Sequence, residues 1–335
     1  MADKMHNGSL INQDFGRVNY WDNLKFILIT FVIIHHASIP YVVVKNQHWT
    51  EVLYMIIMPY TMTSFTIISG YWFKPKPVSL LARRFLLPAL IVIFLFNGLK
   101  SYSPISFINQ YHPWNSGSTM WYLWALFIYY LITPKLLKIR INVLLPCSVA
   151  VALLAGFVPA IGGAFALGRL IGFYPFFLLG VKLRQTGWID ERRSEKRSVI
   201  MARIIFVALL ALYLVAFLYY RPLHLYTTFS RSYEVLSSCK AGLVFRSFTY
   251  VICTVLSVAL IIAIPNKRYR FTKYGSRSLT AYIIHPMFLI VFCWNLMIPF
   301  MDKWYGYVCY MLVIPCFCLL MMNKPTDDFV KKITS

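Results

Sequence analysis

Acidic residues are scarce in this chain: 11 Asp and Glu stand against 33 Lys and Arg in 335 residues, and only 13% of the sequence is charged. No carboxylate lies deep in an apolar run, which argues against a proton- or sodium-coupled transporter, because such proteins hold buried carboxylates along the ion path. Other signatures are missing too. Four and five residues after His36 stand Pro40 and Tyr41, so the HxxxxD pattern of glycerolipid acyltransferases is absent. So are a GxSxG nucleophile elbow, a Walker-type phosphate loop and an HExxH zinc pair. Of seven cysteines, Cys147, Cys253, Cys293, Cys309, Cys316 and Cys318 fall in apolar runs, so neither a disulfide framework nor a metal site is expected. Met1 to Trp21 is mostly polar and lacks an apolar core ahead of a small-residue cleavage site, so no removable signal peptide is expected.

What the chain has in abundance is apolar surface. It is 59% hydrophobic with a mean hydropathy of +0.63, too apolar for a soluble domain of this length. Windows of about 20 apolar residues fall at 24–44, 52–73, 84–99, 119–137, 141–160, 167–184, 199–220, 241–264, 278–299 and 304–322. They predict an all-α integral membrane protein, a bundle of about ten transmembrane helices. The third window is the weakest, because Pro88 interrupts a short apolar stretch. With a cytoplasmic N-terminus, the inner segments hold 23 Lys and Arg and the outer loops six. This positive-inside bias places both termini in the cytoplasm and gives the formal charge of +22 a reading as topology rather than nucleic-acid binding. No connector is long enough for a second folded domain. The expected division is a cytoplasmic tail over 1–23, one membrane domain over 24–322 and a cytoplasmic tail over 323–335.

The first window carries the chemistry. Lys25 stands near its start and His35-His36 more than halfway along, and ionisable groups within a span usually mark function. Eleven helical steps of about 100° bring His36 back to the stripe of Lys25, about 16 Å farther along the axis. A cation there can hold an anionic donor while a neutral imidazole, the usual base near neutral pH, serves a hydroxyl acceptor. The plainer alternatives are a Lys25 that snorkels to the interface and a His36 that bonds a neighbouring helix. His35 points about 100° away from His36. Asp22 is about 21 Å from His36 on the same helix and can pair instead with Lys25 at i, i+3. Farther on, Arg83-Arg84 offers either a phosphate clamp or a positive-inside stop. Tyr282 and His285 share a helix face, and Arg169 and Arg246 fall toward outer ends of windows. The outer stretches 100–118 and 221–240 hold Tyr, Trp, His and Asn that suit a sugar, or an interfacial aromatic belt.

In chain order these segments resemble the acyltransferase type 3 family, in particular its branch similar to fucose 4-O-acetylase. That family's first helix carries Asp-x-x-Arg/Lys, ten residues, then His-Ala, matched here by Asp22, Lys25, His36 and Ala37. Its Phe-x-x-Ser-Gly-Tyr is matched in part by Thr66 to Tyr71, its Arg-Arg before a proline by Arg83, Arg84 and Pro88, and its Trp-Phe-Leu-x-Ala-Leu by Trp121 to Leu126. Its Phe-Phe-x-x-Gly looks like Phe176 to Gly180 and its late Tyr-x-x-His like Tyr282 to His285. The resemblance implies an O-acetyltransferase of the plasma or inner membrane, moving acetyl from cytosolic acetyl-CoA to a sugar hydroxyl of an envelope or exported glycan. Acetyl-CoA is then a substrate, with no bound cofactor. The resemblance makes His36 the catalytic base or acyl carrier and turns Lys25, Arg83 and Arg84 to the donor. Asp22, His35, Arg169, Tyr282 and His285 are the candidate supports. Lys25 in place of the commoner Arg keeps the charge and loses the planar fork. The alternative function is a saccharide or small-anion transporter or flippase.

Overall fold

The computed structural model describes residues 19–43, 52, 55–100, 120–161, 165–236, 238–289 and 303–334. All regular structure among them is helical. The chain runs through α1 (Asn19–Val43), α2 (Thr61–Tyr71), α3 (Leu87–Lys100), α4 (Trp121–Leu136), α5 (Ile141–Leu154) and α6 (Leu167–Thr186). It continues through α7 (Trp188–Ser194), α8 (Lys196–Tyr219), α9 (Cys239–Ala263), α10 (Ser278–Phe288), α11 (Trp304–Met321) and α12 (Lys324–Thr334). Helix therefore occupies part of every apolar window. Val78–Leu95, Lys196–Tyr219 and Cys239–Ala263 are long and apolar enough to cross a membrane, while Ile141–Phe157 and Leu312–Met321 are shorter apolar helices.

Pro88 does not end the third helical run. Ahead of it the backbone widens into a π-turn, Ala82–Leu86, preceded by the helical turn Val78–Leu81. A proline has no N–H for the carbonyl four residues back and its ring crowds that carbonyl, so one wider turn keeps the run continuous. The π-turn carries both Arg83 and Arg84, and widening it changes where each points.

A close crossing joins α2 to α6. A Cβ on Gly70 would collide with the Phe177 carbonyl, and one on Gly180 with the Ile67 carbonyl. Backbone thus meets backbone where two of the family-like fragments cross, the approach that small residues permit between apolar helices. The start of α1 is fastened by polar side chains. The Asn23 amide donates to the Pro265 and Lys267 carbonyls (3.0 and 2.9 Å) and accepts from the Thr272 hydroxyl (2.6 Å). Gly275 lies so close to Asp22 that a Cβ would strike its carbonyl.

The run 185–198 folds into α7 and the start of α8 and closes one end of α1, α2 and α9. Tyr20 and Tyr71 donate to the Asp190 carboxylate (3.3 and 2.7 Å), tying α1 and α2 to α7. Arg193 donates to the carbonyls of Ile261, Ile262 and Ile264 (2.6, 2.7 and 2.7 Å), which satisfies the orphan C-terminus of α9.

Candidate active site

His36 and His285 come together from opposite ends of the chain. His36 Nδ1 and His285 Nε2 are 2.9 Å apart, and the rings stack at 11° with centroids 5.0 Å apart. His285 is fully buried. Its Nδ1 lies 2.7 Å from the Tyr282 carbonyl and 3.2 Å from that of Ala281. Residue 286 explains this anchor. In a regular helix the Tyr282 carbonyl accepts from the N–H of residue 286, but Pro286 has none, so that carbonyl is open to the imidazole one residue earlier.

The directions of these bonds fix the tautomers. Carbonyl oxygen only accepts, so His285 Nδ1 carries the proton and Nε2 of the neutral ring holds a lone pair. That lone pair accepts from His36 Nδ1–H, which puts the remaining lone pair of a neutral His36 ring on Nε2. The sequence left the partner of His36 undecided and looked for a carboxylate; the structure supplies an imidazole, itself oriented by a backbone carbonyl. His35 lies edge-on to His36 at 5.2 Å and 70°. Arg169 stacks on Trp121 at 5.2 Å.

A second part of the site is a cavity of about 260 Å³ whose cationic residues are Lys25, Lys76 and Arg84. Lys25 is joined to Asp22 at 2.8 Å, the i, i+3 pair the spacing foretold, and keeps 28% of its side chain exposed. Arg84 lines the cavity; Arg83, one residue along the π-turn, does not. Lys76 was not singled out in the sequence, where it reads as one more inner-loop charge. Its signal is the Lys74-Pro75-Lys76-Pro77 stretch, which holds the chain extended beside α2. Burial and the neighbouring Arg84 both hold the Lys76 ammonium below the usual lysine range. Trp72, 42% exposed, and Tyr130 supply aromatic wall.

Along α10 the residues Ser278, Leu279 and Tyr282 line this cavity, and the next position on the Ser278–Tyr282 face is His285. Tyr282 and His285 ring centroids are 5.5 Å apart. One helix therefore runs from the cation-lined space to the histidine pair. The family model for the acyltransferase domain matches residues 18–323. The chain belongs to the acyltransferase type 3 family. No curated protein and no solved structure matches it. As an acyltransferase with long apolar helices, it is a membrane acyltransferase with an acyl donor and an acyl acceptor, and the histidine pair and the cavity both lie inside the matched domain.

Arg246, marked in the sequence, and several other polar residues of this acyltransferase have structural employment. Arg246 is buried, stacks on Tyr233 at 4.6 Å and donates to the Arg231 carbonyl. Tyr226 and Tyr233 are fully buried, and the Tyr233 hydroxyl donates to the Leu153 carbonyl at 2.8 Å; these rings pack the core rather than face a sugar. Arg203 donates to the Ala263 carbonyl at 3.3 Å. Of the stretch 100–118, residues 101–118 lie outside the described residues.

Proposed function

We propose that this acyltransferase moves an acetyl group from cytosolic acetyl-CoA to a sugar hydroxyl of a cell-envelope or exported glycan, from a bundle of about ten membrane helices with both termini in the cytoplasm. The observation that carries the reading is the carbonyl-anchored imidazole pair, which leaves His36 Nε2 basic and oriented. A sugar hydroxyl is a poor nucleophile until a base takes its proton as the new bond forms. His36 Nε2 takes that proton while the hydroxyl oxygen bonds to the acetyl carbonyl carbon. The charge left on His36 is held by its Nδ1–H bond to His285. When the tetrahedral intermediate collapses the carbon–sulfur bond breaks, and the His36 proton passes to the departing thiolate. In the covalent variant, His36 Nε2 itself attacks the thioester carbon and the carbon–sulfur bond breaks to release the thiolate; the sugar hydroxyl then bonds to the acetyl carbon as the carbon–nitrogen bond breaks, and its proton passes to the thiolate.

Lys25, Lys76 and Arg84 suit the phosphates of a polyanionic donor, with Arg83 a further cation at the exposed rim. Trp72 offers a ring face for a base. The positive-inside count supports a donor entering from the cytosol. Surface glycans from cells carrying the intact chain or His36→Ala, compared by NMR and mass spectrometry, test the reading. Loss of one O-acetyl signal with normal membrane accumulation of the variant is expected; undiminished acetylation overturns it.

A further inference from the structure

Away from its cations, the cavity is walled by Phe65, Ser69, Tyr122 and Tyr282. The Tyr122 hydroxyl and Ser69 Oγ are 2.9 Å apart and hydrogen-bonded. The Tyr122 ring lies against Phe65 at 6.2 Å and edge-on to Tyr282 at 5.8 Å. Tyr122 is only 6% exposed, so its ring is fixed from both sides and its hydroxyl from a third. Behind Tyr282 comes His285. A thioester whose carbonyl reaches toward the histidines must set whatever follows the carbonyl carbon against this wall. A methyl group asks little of it, whereas each added methylene asks for space that a tied aromatic ring already fills.

We propose that Tyr122, tied to Ser69, sets the acyl length, closing the donor seat to groups longer than acetyl. The inference rests on the acyl-donor reading of the cavity. It is tested with membrane vesicles holding the full chain and its glycan, supplied with labelled acetyl-, propionyl- or butyryl-CoA. The intact enzyme is expected to prefer acetyl. Tyr122→Ala should raise the butyryl-to-acetyl ratio by about tenfold or more, the scale on which a pocket discriminates one or two methylenes. Tyr122→Phe, which keeps the ring and frees it from Ser69, should raise the ratio by a smaller factor and decides the matter if the alanine variant fails to accumulate. Acetyl transfer with an unchanged ratio in the variants overturns this inference alone. Failure of the intact enzyme to transfer from any of the three thioesters overturns the donor reading and this inference with it.

Discussion

Lys25 and His36 lie on the same helix, yet they are held by opposite means. Lys25 is gripped by a carboxylate three residues earlier, remains 28% exposed, and shares its cavity with two more cations. His36 is gripped by a ring 249 residues later, which is itself pinned to a carbonyl. The cation end works by summed charge, and partly exposed charge pairs contribute at most about 1 kcal/mol each. The imidazole end works by direction, and a buried polar group left without its partner costs about 1–3 kcal/mol besides losing its orientation. Redundancy at one end and a single chain of bonds at the other predict different mutational responses.

The largest effect is expected at the imidazole end. His36→Ala should lower kcat by about 10³–10⁴-fold, the upper range for loss of a positioned base. His285→Ala removes no atom that touches substrate and should still cost about 10²-fold in kcat with donor KM unchanged, because His36 loses its tautomer and its aim. His285→Gln retains an amide oxygen that can accept from His36 Nδ1–H and should recover about tenfold of that loss. A merely structural His285 would show no such rescue, and the pH–rate profile of the alanine variant would match that of the intact enzyme.

At the cation end the responses should be graded. Arg84→Ala is expected to raise donor KM by about tenfold, the scale of one charge-assisted bond, with kcat within about twofold. Arg83→Ala, off the cavity wall, should change KM by less than about threefold, which the same assay reads. Equal effects at 83 and 84 would remove the distinction that the cavity wall makes between them.

The smallest expected effect lies in the tail helix. Asp327 is 4% exposed and accepts from Thr280 (2.7 Å) and Lys331 (2.6 Å) with Arg277 nearby at 3.8 Å. Burial pushes its carboxyl up, but the Lys331 and Thr280 bonds and the Arg277 charge outweigh this and hold it below the usual carboxylate range. A carboxylate depressed in the folded state adds stability that is present above its unfolded pKa of about 3.9 and lost as pH falls through the folded value. Thermal unfolding in detergent should therefore show a Tm that falls below about pH 4, and Asp327→Asn should flatten that dependence.

Local features were legible in the sequence because helical spacing is regular. The Asp22–Lys25 pair, the shared face of Tyr282 and His285, and the helices in the apolar windows all follow from counting residues. The histidine pair was not legible, since no periodicity links positions 36 and 285; only the fold brings α1 beside α10. Arg83 and Arg84 point about 100° apart on an α-helix, but which of them lines a cavity depends on packing that spacing does not give. Fragments such as Ser69-Gly70-Tyr71 and Phe176 to Gly180 resembled site motifs, and the glycines in them serve a backbone crossing. In 185–198 the composition shows only charge, whereas Arg193 caps α9, a use that depends on three carbonyls more than 60 residues away.

Pro286 carries a consequence for anyone engineering this chain. Replacing it with Ala would remove a helix breaker and restore a backbone donor, so a screen for thermal tolerance should rank the change among its gains. The restored N–H would compete for the Tyr282 carbonyl, freeing the His285 ring to turn and with it His36. Selection for robustness and selection for turnover should thus pull this one position in opposite directions, and a library sorted only for expression would discard the proline that keeps the histidine pair aimed.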